Sequence, residues 1–439
     1  MKCKGLKRIG AGLVAVGLTI TLLLTGAIPV CEAGPDEKVV KIGHDVALTG
    51  PIASTYVQPT YAVNDYAKWV NGLEPGIDEA LVPKDVLAIK NFFKNEGLKL
   101  EILWEDTTAI NVAKSIMAYK RFKAAGVVGV ISCSSMPTET LTPRYQRDEI
   151  PALFVVGLTP AMITYPVRWV FTGMAGHGPE PVTLVKWVKD NWVEERPPRF
   201  GLIGYDHSSA WESQKAMKEW APKLDYEFVG YEIVPTAGVL DTSTEWLRLA
   251  AKKPDWVFAP ACGATLVTIV KDSQRLEIQE KGIKLCSCCY GMDEVIMKPM
   301  GKAAEGWYAI RMQTVAADAD LLWVKFTTEL AKRYRGMHPE DVASHYMFVT
   351  TYIVVFTEAI RLAIEKVGYE NLTGRAVRDA LVTLKDFDTG QGYLTTITDE
   401  RPYVASAGMR INLVREGKIW PISGWIPYAY EYPELIKGK

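Results

Sequence analysis

Residues 39–51 read Val39-Val40-Lys41-Ile42-Gly43-His44-Asp45-Val46-Ala47-Leu48-Thr49-Gly50-Pro51. The β-branched run Val39–His44 predicts a strand, and Thr49-Gly50-Pro51 is the turn that bounds it. A helix follows, with Ala62, Tyr66, Trp69 and Val70 at helical spacing and Asn71-Gly72 closing it. One strand handed to one amphipathic helix is the repeating unit of an α/β domain.

The unit recurs along the chain. Strands are expected at Leu98–Trp104, Val127–Ser132 and Ile150–Val156. Val112, Ile116 and Tyr119 mark one intervening helix, and 138–147 is the next. After a Gly- and Pro-rich patch from Gly173 to Pro181 the alternation restarts. Leu184, Val185, Val188 and Trp192 form one helical face, followed by strand Arg199–Tyr205 and helix 209–220. Strand Tyr226–Val234, helix 243–252, strand Asp255–Ala261, helix 264–276 and strand Ile283–Cys288 complete this half. Strands alternating with helices imply parallel sheets covered on both faces, and two tandem runs split near residue 172 imply two similar lobes. The last third departs from the pattern: a short strand at 306–312, helices at 319–335, 341–367 and 373–385, then strands near 409–414 and 418–424 joined by Arg415-Glu416-Gly417-Lys418. The apolar stretch from Tyr346 to Ile360, with Glu358 and Arg361 at its end, reads as a buried helix rather than a membrane span. Residues 74–95 form an insert whose shape the pattern leaves open.

Upstream of the first strand, Lys2, Lys4, Lys7 and Arg8 precede an uncharged apolar run from Ile9 to about Val30, which ends in Cys31-Glu32-Ala33. A basic start, an apolar stretch and a small residue at the cut are the marks of a signal peptide over residues 1–33. About 22 uncharged residues could nearly span a bilayer as an anchor, but the Gly and Thr in the run and the cleavable end favour cleavage after Ala33, with lipid attachment at Cys31 as the other processing route. Removing residues 1–33 takes away four basic residues and one acidic residue, so the formal charge moves from −1 to −4. A mildly acidic chain without a basic stripe excludes nucleic acid as a partner. The remaining 406 residues exceed what one core serves, which again points to two domains.

In parallel α/β sheets, ligands sit beyond the carboxyl ends of strands, beside helix N-termini. Three segments occupy such places: Leu48 to Tyr56, Ser132-Cys133-Ser134-Ser135-Met136-Pro137-Thr138, and Gly157-Leu158-Thr159-Pro160. A helix start offers free N–H groups and about half a positive charge, which suits a carboxylate. Ser134, Ser135 and Thr138 are equally suited to cap the next helix. Tyr56, Trp211 and Tyr290 are the aromatics at strand ends facing the expected cleft, and His207 is the histidine in a cleft loop. No Gly-x-Ser-x-Gly elbow, His-Glu-x-x-His or phosphate-cradling glycine loop is present, so an enzyme is not expected, nor is a cofactor or a metal.

Several stretches carry a resemblance: "KIGHDVALTGP", "YAVNDYAKWVNG", "VVGVISCSSMPT" and "IPALFVVGLTP". With the signal, they resemble the type I periplasmic solute-binding proteins of ABC transporters, the leucine/isoleucine/valine-binding protein family, over Val39 to about Trp425. The resemblance implies two doubly wound parallel-sheet lobes joined by a three-crossover hinge that closes on a small ligand. It implies crossings near Phe171-Thr172, Ala309-Ile310 and Gly390-Gln391-Gly392, hence lobe 1 at 38–171 with 310–390 and lobe 2 at 172–309 with 391–439. It further implies that Ser134 and the loop Gly157-Leu158-Thr159 hold a ligand carboxylate. Thr55 or Tyr56 matches an aromatic of the first loop, Trp211 stands where the family has a tyrosine, and Cys262 matches a family aromatic. The acidic residue that pairs a ligand ammonium aligns near Gly291, with Asp293 and Glu294 just downstream. That departure argues against an α-amino acid and for another small carboxylate, aromatic or apolar. The implied partners are a small molecule and a membrane permease, for a monomeric protein in the periplasm; a ligand-sensing subunit of a signalling receptor is the other role the fold serves.

Five cysteines lie beyond the signal: Cys133, Cys262, Cys286, Cys288 and Cys289. A disulfide between the Cys262 region and the 286–289 cluster, a metal site without the usual paired spacing, and plain buried thiols are the three readings. For the N-terminus, the intact mass of the secreted protein is expected to correspond to a chain starting at Gly34 without lipid. A mass carrying diacylglycerol on Cys31 would show the other route.

Overall fold

The computed structural model describes residues 37–73 and 76–432; the segment 1–33 expected to be a signal peptide, with Cys31, and residues 433–439 lie outside that range. The first run of elements is β1 (Lys38–Val46), α1 (Ala53–Val70), α2 (Lys84–Asn95), β2 (Leu98–Asp106), α3 (Val112–Ala124), β3 (Gly129–Ser132), α4 (Ser135–Asp148), β4 (Ala152–Gly157) and β5 (Val170–Met174). The strands form one sheet in the order β2-β1-β3-β4-β5, with every pair parallel. β3 and β4 are buried at every position, as continuous apolar strands of a two-sided parallel sheet must be.

The second run is α5 (Pro179–Asp190), β6 (Arg199–Tyr205), α6 (Ser208–Trp220), β7 (Glu227–Val234), α7 (Ser243–Ala250), β8 (Trp256–Ala259), α8 (Gly263–Arg275), β9 (Lys284–Ser287), α9 (Glu294–Met300) and β10 (Tyr308–Arg311). Helices α10 (Leu322–Arg335), α11 (Ser344–Val367) and α12 (Gly374–Leu381) follow, then β11 (Phe387–Asp388), β12 (Leu394–Thr395), β13 (Arg410–Arg415) and β14 (Lys418–Pro421). The second sheet runs β14-β13-β10-β9-β8-β6-β7. Its parallel part, β7-β6-β8-β9-β10, repeats the winding order of the first sheet, and β13 and β14 extend it antiparallel. The turn between them puts Glu416 and Gly417 both at positive φ, 53° and 70°, the geometry a two-residue hairpin requires.

The chain is therefore α/β, with two doubly wound lobes. Strand pairing carries it somewhat past the expected crossings. β5 stays in the first sheet to Met174, and β10 stays in the second to Arg311. Beyond Gly392, residues 402–405 still lie along β5: Thr172 N–H donates to Pro402 O, and Val404 and Ala405 N–H donate to Thr172 and Gly173 O, at 2.8–2.9 Å. That pairing covers the edge of β5, which would otherwise expose a row of free backbone groups. β5 itself was hidden in the sequence because Gly173 interrupts a short apolar run. The insert at 74–95 holds α2, whose Val86, Ile89 and Phe93 share one buried face.

Helix α11 belongs to the first lobe although it comes late in the chain. Every residue from Ser344 to Ile360 is buried, so a helix long and apolar enough to span a membrane serves here as a core. It packs on α1, α2, α10, α12 and β4. Two glycines let it approach: a Cβ on Gly129 would lie 2.0 Å from Phe356 Cζ, and one on Gly173 would collide with the Tyr352 hydroxyl. Tyr352 Oη also donates to Val155 O at 2.8 Å. Gly129→Ala is expected to destabilise the protein by about 1–3 kcal/mol through overpacking, read as a lower urea midpoint at unchanged slope.

Candidate functional site

In each sheet the winding reverses once, between β1 and β3 and between β6 and β8. The crevice outside the carboxyl ends of strands at such a point is where open α/β sheets take ligands. The two crevices face each other across the hinge and share one cleft. Its void measures about 330 Å³ including the open mouth, of which about 20 Å³ admits the centre of a water molecule. The first lobe lines it with Ile52, Tyr56 and Ile110, with Cys133, Ser134 and Ser135 after β3, and with Phe154 and Val156 of β4. The opposite wall is His177 in the link after β5, Tyr205, His207 and Ser209 around the end of β6, Cys262, and Tyr290 after β9.

The loop carrying Ser134 is held from beneath. Asp45, at the end of β1, accepts from Cys133 N–H at 2.9 Å and from the Ser132 hydroxyl at 3.3 Å. Burial pushes this carboxyl up to about 6, and those two donors oppose the rise. Thr138 Oγ1 in turn donates to Ser134 O at 2.6 Å, which fixes the first turn of α4. Ser134 is the N-cap residue with extended backbone, yet its side chain makes no capping hydrogen bond. Its hydroxyl and the unbonded N–H groups of the first turn thus remain available to a ligand oxygen.

The facing wall is aromatic and wired together. His207 N-caps α6: its Nδ1 accepts from Ser209 N–H at 3.4 Å, which leaves the proton on Nε2. Tyr290 Oη donates to Ser209 Oγ at 2.8 Å, and Ser209 Oγ lies 3.0 Å from His207 Nδ1. The Tyr205 ring stacks on His207 with centroids 5.1 Å apart. Ser135 Oγ reaches across to Ser208 Oγ at 2.8 Å, so the lobes touch directly beside the cleft. Burial lowers His207 to about 4 and His177 to about 3, so both rings are neutral at pH 7.

Of the residues expected from sequence, Tyr56, Ser134, Ser135, Cys262 and Tyr290 line this cleft, and four others do not. Gly157 is a close-packing position, where a Cβ would sit 2.9 Å from His177 N. Leu158 is buried and gives its carbonyl to His177 N–H at 3.3 Å. The Thr159 hydroxyl donates to Glu139 at 2.8 Å. Trp211 points outward: it is 41% exposed, donates Nε1–H to Asp206 at 2.8 Å and meets Tyr231 edge-on. Tyr205 and His207 supply the rings on that wall instead. Tyr205, Phe154 and Val156 escaped notice because apolar strand residues read as core. His177 was masked by the Gly/Pro-rich patch around it.

No Asp, Glu, Lys or Arg is among the lining residues. Asp293 N-caps α9 through Val295 and Ile296 N–H and pairs with His345 at 2.6 Å. Glu294 accepts from Ser344 N–H at 2.6 Å and from its hydroxyl at 2.7 Å. Both carboxylates tie the second lobe to the start of α11, which leaves the cleft without an ammonium partner.

The five cysteines of the described chain are free thiols, all buried. Burial pushes Cys262 up to about 11 and raises the other four as well. Since the thiolate is the reactive form, Ellman's reagent is expected to find almost no reactive thiol in the native protein and five once it is unfolded. Two fewer on unfolding would reveal a disulfide.

The sequence model of the family described as periplasmic binding protein matches residues 39–417. Comparison with curated protein sequences finds no match. Among solved structures, a branched-chain amino acid ABC transporter protein from Thermus thermophilus with bound valine is 19% identical, with a TM-score of 0.75 over 91% of this chain and 98% of that one. An ABC transporter substrate-binding protein from Aeropyrum pernix is 16% identical, with a TM-score of 0.72 over 91% and 99%. A fatty acid ABC transporter substrate-binding protein from Thermomonospora curvata is 16% identical, with a TM-score of 0.70 over 91% and 94%. With its two doubly wound lobes and the cleft between them, the chain belongs to the periplasmic binding protein family.

Proposed function

We propose that this chain is an exported solute-binding protein that captures a small carboxylate with an apolar or aromatic body and delivers it to an ABC transporter permease. The lobes that close on it are 38–174 with 312–405, and 175–311 with 406–432. The observation that carries the ligand class is the pairing of an unengaged Ser134 hydroxyl at the start of α4 with a lining that holds no carboxylate. Ser134 and the first-turn N–H groups suit the carboxylate end. Tyr56, Phe154, Tyr205 and Tyr290, with Ile52, Ile110 and Val156, suit an apolar body. An ammonium group shut in the same cleft would lack a counter-charge, which is costly. The relatives bracket this chemistry: one holds valine and another is a fatty acid carrier. The binding is expected to proceed without turnover.

Thermal-shift screening of the mature protein against phenylacetate, benzoate, isovalerate, valine, leucine and glucose tests the class. The carboxylates without an ammonium group are expected to raise the melting temperature, and valine and leucine to do so less. Tight leucine or valine binding overturns the ligand class, and a response to glucose alone overturns the carboxylate. Ser134→Ala is expected to weaken binding of the best carboxylate by about 1–3 kcal/mol, measured by calorimetry.

A further inference from the structure

Besides the Ser134 hydroxyl, the imidazole of His177 in the cleft is left unused by the protein's own hydrogen bonding. His177 sits between Gly176 and Gly178 in the link from β5 to α5 and is 2% exposed. Neither Nδ1 nor Nε2 has a hydrogen-bond partner among the described residues. Buried polar atoms are nearly always paired, so a ring unpaired at both nitrogens asks for a partner from outside the chain. The ring is nevertheless firmly placed. Its backbone N–H donates to Leu158 O at 3.3 Å, its carbonyl accepts from Ser213 Oγ at 3.0 Å, and the ring meets Tyr290 edge-on at 5.6 Å. The flanking link is tightly packed: a Cβ on Gly178 would clash with the Tyr430 hydroxyl.

The second observation is electrostatic. A carboxylate without an ammonium group brings a net charge into a cleft lined by no Lys and no Arg. The only lining groups able to become cations are His177 and His207. His207 already spends Nδ1 as an acceptor for Ser209 N–H, whereas His177 has both nitrogens free. We propose that His177 is the anion-recognition residue of the cleft: as a monocarboxylate enters, the imidazole takes up a proton from solvent and the imidazolium donates to the carboxylate. This rests on the reading above that the ligand lacks an ammonium group. A zwitterionic amino acid carries its own cation and needs no such proton.

Apart from the Glu180 carboxyl and the Arg311 guanidinium of β10 that acts on it, the groups around His177 are neutral near pH 7. From the elements around it come His207, the phenols of Tyr205, Tyr290 and Tyr432, and the thiols of Cys133 and Cys262, each disfavoured from charging by burial. The neighbouring carboxyl is Glu180, pushed up to about 7 by burial and bonded through Oε1 to Cys289 N–H at 2.5 Å. A carboxylate beside His177 opposes the effect of burial and raises its pKa. A group whose pKa rises on binding takes up a proton. Affinity is therefore greatest at low pH and falls as pH rises through the bound-state pKa.

Titration calorimetry of phenylacetate and isovalerate between about pH 6 and 8, in two buffers of different ionisation enthalpy, reads this directly. The expected result is uptake of up to about one proton per phenylacetate bound and an affinity that falls by up to about tenfold per pH unit. His177→Gln is expected to keep its melting temperature, bind phenylacetate at least about tenfold more weakly and lose the proton uptake. Glu180→Gln is expected to keep the uptake. Proton uptake that survives in His177→Gln places the proton on the ligand, His207 or Glu180 and overturns the proposal. So does phenylacetate binding without uptake in the unmodified protein, which decides the matter even if the variant fails to fold. Valine binding with no response to either acid overturns the ligand class, and the proposal with it.

Discussion

Helix α11 has to be buried, and the first sheet is where it can be. Its buried stretch Ser344–Ile360 is too apolar to face water and comes from the last third of the sequence. Covering the face beside β4 with this helix returns the chain to the first lobe after the second sheet has been laid down. The return requires a second crossing, and the antiparallel pair β13–β14 requires a third. The hinge is thus a consequence of where an apolar helix can be sheltered. The glycines at 129 and 173 are the points at which strand and helix touch, because only a missing side chain leaves room for Phe356 and Tyr352 there.

The same helix brings the lobes together. Its first residues, Ser344 and His345, meet Glu294 and Asp293 of the second lobe. Burial opposes charge on Asp293, but His345 beside it and the Ile296 N–H outweigh that and hold the carboxyl below its usual range. A buried pair of this kind contributes little net stability unless both partners are present, and breaking it strands a charge. The contact is formed across the lobe boundary, between α9 and the start of α11. The Ser135–Ser208 contact crosses it on the side of the cleft itself. Polar side chains of the two lobes thus meet at both places.

Between these contacts the cleft divides its chemistry. The first lobe supplies donors: a helix start and a serine hydroxyl, positioned by the buried Asp45 one strand away. The second supplies rings, held by the chain Tyr290–Ser209–His207. The link after β5 supplies His177, whose two ring nitrogens the protein's own hydrogen bonds leave unused. A site built in this way draws its donors, its rings and its unpaired imidazole from three different parts of the chain.

The alternation of strands and helices was legible because it rests on local periodicity. The strand Arg199–Tyr205, the hairpin at 415–418 and the buried character of 346–360 are all readable from neighbours a few residues apart. So were Tyr56, Ser134, Ser135 and Tyr290, since residues just after strands in a parallel sheet must gather at one edge, whereas Cys262 came only from the family resemblance. The rest was not local. Whether Ser134 caps its helix depends on the direction of a hydroxyl, and whether Trp211 faces inward depends on Asp206 and Tyr231 outside. Tyr205 and Phe154 look like core from their strands alone, and Asp293 and Glu294 turn away from the cleft only because His345 and Ser344 arrive from another lobe. The sequence by itself determined an α/β chain of two lobes and the loops that border its cleft. Tertiary structure alone decided which of those side chains face one another, because that depends on how two separately wound sheets meet across three crossings.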